Sequence, residues 1–308
     1  MVLVSSTPML NEARKSGYGI VAFNVHSIDM LYSVVEAAAK VDAPIIIQTT
    51  VGTVRSLGPD KIASAAKEAS DQYNIPIALH LDHCTEYDVL IKCIRAGYTS
   101  VMIDASMYPF EENVKRTQQV MDVAKHLGVN VEAELGKVGG VEDDIVVSDK
   151  DAEKAIPSEC VNFISLTGVP TLAPAIGTAH GIYSGDPDID FERIEEIANL
   201  VDEPLVLHGG SAIPDKDVKR CVTLGMAKMN VSTELKNTYS QAIRDHFEVS
   251  PNGLDPRQYL TKAKEAAKEA AKELVKAKIN LVGCEGKASE IKASLYGNCN
   301  TVLVTARK

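Results

Sequence analysis

The stretch Pro76-Ile77-Ala78-Leu79-His80-Leu81-Asp82-His83-Cys84-Thr85-Glu86 decides how this chain is read. The apolar run after Pro76 has the length and bounding of a buried strand. It ends in a carboxylate and an imidazole side by side. A buried parallel strand finishing on ionisable residues is how an α/β barrel delivers an active site to one rim. Two later strands finish the same way. Leu172 to Gly177 runs into Thr178-Ala179-His180, and Pro204 to Leu207 runs into His208-Gly209-Gly210-Ser211. Three strand ends, each carrying a histidine, point to one metal site.

Working outward, strand patterns recur at Tyr18 to Asn24, Pro44 to Thr49, Ser100 to Asp104, Val129 to Leu135, Leu172 to Ile176, Leu205 to Leu207 and Ala227 to Val231. Phe163 to Thr167 reads as a further strand-like piece beside the Leu172 strand. Helical patterns separate them. With the Ile77 strand this makes eight βα units, which predicts a single (β/α)8 TIM barrel. A doubly wound open sheet would want a GxGxxG turn after an early strand, whereas the first strand runs into Asn24-Val25-His26-Ser27. Residues 1–284 read as one domain that includes the C-terminal helices, and residues 285–308 as a tail of unknown role. Lys262 to Lys278, with its i,i+4 charge pairs, reads mostly as a solvated helix face, an oligomer contact being the alternative.

A hydrophobic share of 45% with no Trp and five Phe suits an aliphatic core of this kind. The net charge of −10 argues against nucleic-acid binding and against attraction to an anionic membrane. A local phosphate site built from backbone N–H groups remains compatible with it. Six cysteines without paired spacing and no recognisable targeting segment predict reduced thiols in a cytoplasmic protein. Cys84 reads as a packing residue rather than a ligand or nucleophile.

In the barrel reading the residues just past the strands are Asn24, Thr50, Asp82 with His83, Asp104, Glu132 with Glu134, His180, His208 and Asn230. They converge on the rim that is catalytic in this fold. His83, His180 and His208 are the natural metal ligands, since three protein ligands with an open position mark a catalytic site. The alternative for each is a hydrogen-bonded structural histidine. His80, two residues before Asp82 and deeper in the strand, reads as a supporting or structural residue. Asp82, next to a ligand, is placed either to act as general acid/base or to orient a histidine. Gly209-Gly210-Ser211 and Asn230-Val231-Ser232-Thr233 follow strands seven and eight, the recurrent phosphate position in such barrels. Gly181 would let substrate approach the metal. Leu135 to Lys154, with its glycines and Glu142-Asp143-Asp144, is either a lid or a solvated loop.

These residues closely resemble the class II, metal-dependent ketose-bisphosphate aldolases, over about residues 5 to 287. The resemblance is carried by Ala22-Phe23-Asn24, Leu79-His80-Leu81-Asp82-His83, Val131-Glu132-Ala133-Glu134-Leu135-Gly136, Gly139-Gly140-Val141-Glu142-Asp143, Gly177-Thr178-Ala179-His180-Gly181, His208-Gly209-Gly210-Ser211 and Asn230-Val231-Ser232-Thr233-Glu234-Leu235. It implies one catalytic Zn2+ per subunit on His83, His180 and His208, with a monovalent cation such as Na+ or K+ as a second ion. It implies Asp82 as the proton donor and acceptor and Glu142 as a loop residue that assists proton transfer. Gly181, Gly209 to Ser211 and Asn230 to Thr233 would hold the dihydroxyacetone phosphate moiety. Arg257 would reach a distal anion across a subunit interface in a homodimer or homotetramer.

The implied reaction is a reversible retro-aldol cleavage in which zinc polarises the C2 carbonyl and stabilises the charge left when C3–C4 breaks. No Schiff-base lysine is needed, and no lysine sits on a strand where one would be expected. Asn24-Val25-His26 and the Thr233-Glu234-Leu235 ending look most like the tagatose-bisphosphate type, whereas His208-Gly209-Gly210-Ser211 looks more like the fructose type. A sulfonated ketose such as 6-sulfofructose 1-phosphate is the alternative substrate. A zinc hydrolase on the same fold is the alternative reaction, although such enzymes usually show His-x-His at the first strand end. A non-catalytic homologue would have lost Asp82 or a histidine, and all are present.

Overall fold

A computed structural model describes residues 3–142, 145–148, 152–181, 187–211, 213–249 and 255–296. Strands β1 (Ile20–Asn24), β2 (Ile45–Thr49), β3 (Ile77–Cys84), β4 (Ser100–Ile103) and β5 (Asn130–Leu135) come first. A hairpin of β6 (Gly139–Glu142) and β7 (Ile145–Val147) follows, then β8 (Thr171–Pro174), the two-residue β9 (Ala179–His180), β10 (Leu205–Leu207) and β11 (Met226–Val231). Eight of these close a parallel barrel in the ring order β1-β11-β10-β8-β5-β4-β3-β2. That is the TIM-barrel architecture the sequence predicts, with Leu172 on the ring as expected.

The helices are α1 (Ser6–Ser16), α2 (Ile28–Lys40), α3 (Val51–Leu57), α4 (Pro59–Tyr73), α5 (Tyr87–Ala96), α6 (Phe110–Leu127), α7 (Pro157–Thr167), α8 (Phe191–Leu200), α9 (Asp215–Thr223), α10 (Thr233–Val249), α11 (Pro256–Val282) and α12 (Lys287–Tyr296). Their local signals are ordinary ones. The Ser27 hydroxyl caps α2 by accepting from the Met30 N–H at 3.1 Å, and prolines occupy the first turns of α4 and α7. None of the described helices is long and apolar enough to cross a membrane.

Two sequence expectations need correcting. Phe163 to Thr167 is the end of α7, not a strand. Its buried residues Cys160, Phe163 and Thr167 recur at helical spacing, and a short apolar run alone does not separate the two periods. The tail beyond Gly283 is helical as far as Tyr296. There Ala288 and Ile291 are buried in the core, and the Ala288 N–H donates to the Asp42 carbonyl at 2.8 Å.

The polar face of α11 is solvated, as its charges suggest, but the opposite face is not. Ala263, Ala267, Ala271, Val275 and Ile279 recur every fourth residue and are all buried against α2 and α10. Small residues at that spacing let the helices approach closely. Lys272 reaches Glu36 at 2.8 Å and Lys278 reaches Glu234 at 2.7 Å, which ties α11 to both neighbours.

Inside the barrel the bottom layer is polar rather than aliphatic. Ser100, Asn130 and Thr171 open β4, β5 and β8, and α1 plugs the ring beneath them. The Ser6 hydroxyl bonds to that of Ser100 at 3.0 Å, and the Thr7 hydroxyl donates to Asn130 Oδ1 at 2.7 Å. The top layer opens into the site.

Truncating Ile279 to alanine should lower unfolding stability by about 2–5 kcal/mol, because a fully buried side chain at a helix junction leaves a cavity. Denaturant unfolding followed by circular dichroism measures this, and a change below about 0.5 kcal/mol would contradict the packing of α11 described above.

Candidate active site

Alternation along a strand should send Asp82 and His83 to opposite faces. Both nevertheless reach the barrel mouth, because β3 bulges there. Against β4 the register runs Leu81↔Val101 and then Cys84↔Ile103, so β3 has one residue more than its partner. His83 takes the left-handed conformation with φ 44°, which is uncommon for a residue with a side chain and usually marks a functional constraint. The bulge brings the His83 ring against those of His180 and His208, with centroids 4.7 and 4.6 Å apart.

Two of the rings are oriented from behind. His83 Nδ1 lies 2.8 Å from Asp104 Oδ2, and His208 Nε2 lies 2.9 Å from Glu132 Oε1. Asp104 is itself held by the Ser106 N–H at 3.1 Å and the Ser106 hydroxyl at 2.7 Å. Burial pushes the Asp104 carboxyl upward. The bond and charge of His83, with the two Ser106 donors, outweigh that and hold it well below the usual carboxylate range. Asp104 is therefore a carboxylate and accepts the His83 hydrogen.

His83 Nε2 and His208 Nδ1 face each other at 2.8 Å. His180 Nε2, buried beside them, has no hydrogen-bond partner among the described residues. Nitrogen atoms of the three rings lie within 4.8 Å of one another. Burial disfavours a charge on His83, but Asp82, Asp104 and Glu134 outweigh it and push the ring well above its ordinary value. The two facing nitrogens therefore share a hydrogen, and the donor set fits a positive charge there, a proton or a metal cation. Neutral imidazoles with carboxylates behind them are the usual setting for zinc. Burial pushes His180 and His208 well below the ordinary imidazole value, so both rings are neutral, as ligands must be.

Asp82 sits beside this cluster and is fully buried. Three amides hold its carboxylate: Asn24 Nδ2 at 2.9 Å and Gln48 Nε2 at 3.1 Å on Oδ2, and Asn230 Nδ2 at 3.3 Å on Oδ1. Gln48 also donates to Asn24 Oδ1, so β1, β2 and β11 fix one carboxylate together. Neutral donors fix this carboxylate in place without pairing it to a cation, which positions it for proton transfer.

A narrow cleft opens over these groups. It is lined by Asn24, Asp82, His83, His180, Gly181, Gly209, Gly210, Ser211, Asn230, Ser232 and Thr233. At one end lies the N-terminus of α10, where Ser211 Oγ accepts from the Ser232 and Glu234 N–H groups at 3.3 and 3.4 Å. Gly209 has φ 64°, and a Cβ there would collide with the Ala179 carbonyl. Backbone amides at a helix start, with room for close approach, suit an anion.

Not every residue expected at the rim lines the cleft. Thr50 is buried beneath it as the residue preceding α3, with its hydroxyl 3.5 Å from that of Thr53. The Val231 side chain is buried in the core, so it has only backbone to offer. Glu142 ends β6 and Arg257 lies in the first turn of α11, and both side chains fall outside the described part of the structure. β6 itself pairs with β9, Gly140 opposite His180, which sets the hairpin directly against one of the three histidines.

Three supporting residues had no role assigned from the sequence. Asp104 and Glu132 orient rings, and Gln48 holds Asp82. Glu132 and Glu134 alternate on β5 and so share a face, which was a legible signal. Glu134 is pushed up to about 8, first by burial and then by the charge of Asp104. One lysine lies on a strand, inside the barrel. Lys228 on β11 points its ammonium at Glu132, 2.7 Å away, and a salt-bridged ammonium is no nucleophile.

The chain matches the family model for class-II fructose-bisphosphate aldolase over residues 4–287. The YdjI aldolase of Escherichia coli K12 superposes with a TM-score of 0.81 at 30% identity, covering 93% of this chain and 100% of that one. A Coccidioides immitis protein described as a candidate fructose-1,6-biphosphate aldolase superposes with 0.83 at 27% identity, covering 92% and 97%. The fructose-bisphosphate aldolase of Campylobacter jejuni shares the fold, with 0.78 at 23% identity and 93% and 97% coverage. A match over nearly the whole barrel, with the histidine cluster and Asp82 at its mouth, places this chain in the class II fructose-bisphosphate aldolase family, as a carbon–carbon lyase.

Proposed function

We propose that this aldolase reversibly cleaves a ketose 1,6-bisphosphate of the tagatose or fructose type, in a zinc-dependent reaction. The products are dihydroxyacetone phosphate and an aldehyde such as glyceraldehyde 3-phosphate. The observation that carries this reading is the pairing of an amide-held Asp82 carboxylate with three imidazoles converging on one point of a cleft. His83, His180 and His208 would hold the zinc. When bound it supplies Lewis-acid polarisation of a substrate carbonyl.

The remaining chemistry belongs to the chain. The N-terminus of α10, with Gly209, Gly210, Ser211, Ser232 and Thr233, receives a phosphate and so fixes the three-carbon end of the sugar. Asp82 takes the C4 hydroxyl proton as the C3–C4 bond breaks, and the bonding pair stays with C3. Returning a proton to C3 completes dihydroxyacetone phosphate. In condensation Asp82 gives its proton back to the C4 oxygen. Asn24, Gln48 and Asn230 keep that carboxylate in one orientation through both directions. Glu142, on the strand paired to His180, is the loop group for the second proton transfer. Arg257 is the cation for the distal anion in a homodimer or homotetramer, and Na+ or K+ a second ion. Cytoplasmic residence follows from this reading, since the five described cysteines are all free and buried.

Asp82→Ala should lower cleavage turnover by about 10²–10⁴-fold, the usual worth of a general acid/base, while bound zinc by elemental analysis stays as in wild type. Full retained turnover would remove Asp82 from the mechanism. Substrate identity is read from coupled kinetics on fructose 1,6-bisphosphate, tagatose 1,6-bisphosphate and 6-sulfofructose 1-phosphate, each with and without a chelator. One of them should release dihydroxyacetone phosphate in a chelator-sensitive way. No release from any, in protein that binds zinc, would sink the bisphosphate reading and favour a hydrolase.

A further inference from the structure

Lys228 lies inside the barrel with 1% of its surface exposed. Its ammonium sits 2.7 Å from Glu132 Oε2 and 3.4 Å from His80 Nε2. An ammonium has hydrogens only to give. His80 Nε2 must therefore accept, and His80 Nδ1 carries the hydrogen bonded to the Ser100 hydroxyl at 2.6 Å. Burial and then the Lys228 charge push His80 well below its ordinary value, in keeping with a neutral ring. The other oxygen of Glu132, Oε1, accepts from His208 Nε2 at 2.9 Å. The carboxylate thus bridges a cation on one side and a histidine of the metal cluster on the other.

We infer that Lys228 is a positioning residue for the metal: it anchors Glu132 Oε2, leaves Oε1 to His208, and so keeps His208 Nδ1 turned toward His83 Nε2, 2.8 Å away. His80 Nε2 lies 3.9 Å from Oε2 and also 3.9 Å from Oδ1 of Asp82, a carboxylate that the three amides already hold. Lys228 occupies that nitrogen as an acceptor. Without the ammonium, His80 is free to adopt its other tautomer and donate to Oε2 after a small movement. The carboxylate then turns toward His80 and away from His208, and the His208 ring loses the partner that fixes its orientation and its hydrogen. The asymmetry with His83 supports this role. Asp104, behind His83, is held by a serine hydroxyl and a backbone N–H. Among the described residues Glu132, behind His208, has a cation alone to hold its second oxygen.

This inference rests on the zinc reading above, and the test separates the two. Zinc affinity is measured by competition with a chromophoric chelator on the full chain, for wild type, Lys228→Met, Glu132→Gln and the double variant. Each single variant should bind zinc about 10–100-fold more weakly, as loss of groups behind a ligand does. The double variant should return to within about threefold of wild type, a strong departure from additivity. In it the introduced glutamine side chain offers an amide oxygen to His208 and an amide N–H to His80 Nε2, replacing both charges with one neutral group. The visible spectrum of the cobalt-substituted protein should shift in the singles and return in the double.

A structural role alone predicts a double variant at least as impaired as the worse single, and that result would overturn the inference. So would a Lys228→Met zinc affinity within about twofold of wild type. Removing one partner of a buried pair is destabilising. Where Lys228→Met does not fold by circular dichroism, comparing Glu132→Gln with the double variant carries the same decision. Wild-type protein that binds no zinc would instead sink the metal reading itself.

Discussion

Three imidazoles are aimed at one point, and the rest of this barrel is arranged to hold them there. Two of the rings are pinned from behind by buried carboxylates, Asp104 and Glu132, which take one hydrogen of each ring outward and turn the other nitrogen inward. Buried carboxylates around converging imidazoles favour a positive charge between the rings, which is the setting a metal site needs. The closed ring of parallel strands supplies the rigidity. Each of these histidines and carboxylates stands on or just beyond a strand whose neighbours on both sides are hydrogen-bonded to it, β9 apart.

The consequence is a barrel interior that is unusually polar. Burying Lys228, Glu132, Asp82, Asp104 and His80 costs desolvation that an aliphatic filling would avoid. The cost is offset by near-complete pairing. Amides meet Asp82, a serine meets Asp104, and Lys228 meets Glu132. The polar chain continues downward from His80 through Ser100 to Ser6 on α1, so the helix that plugs the barrel bottom is tied by hydrogen bonds to the layer beneath the site. Aliphatic burial is left to the shell between strands and helices. There the alanine stripe of α11 and the Val and Ile residues of the strands' outward positions pack.

His180 is held differently. Its two-residue strand β9 pairs with β6 of a hairpin rather than with the barrel. Gly140 faces His180 across that pairing, and a Cβ at this position would collide with the His180 backbone. The hairpin that carries Glu142 and the third histidine are therefore one unit, and a movement of either is felt by the other. Two histidines belong to the rigid ring and one to the loop layer above it.

By itself the sequence determined the barrel, and it pointed to the rim, to the three histidines and to Asp82. These rest on local properties: the period of apolar residues, the ends of strands, and the glycines and hydroxyls that follow strands seven and eight. Where a local signal was ambiguous, the reading went astray. The Phe163 segment is too short for its period to show, and the alanine stripe of α11 is masked by the charges around it. Tertiary structure alone decided which buried polar groups meet. His208 and Glu132 are 76 residues apart in the chain, Lys228 and Glu132 are 96 apart, and Asp82 and Asn230 are 148 apart. Whether they touch depends on the stagger of neighbouring strands and on a single extra residue in β3. That bulge puts Asp82 and His83 on the same side, and no pattern of residue types along one strand encodes it, because its effect exists only against the register of the next.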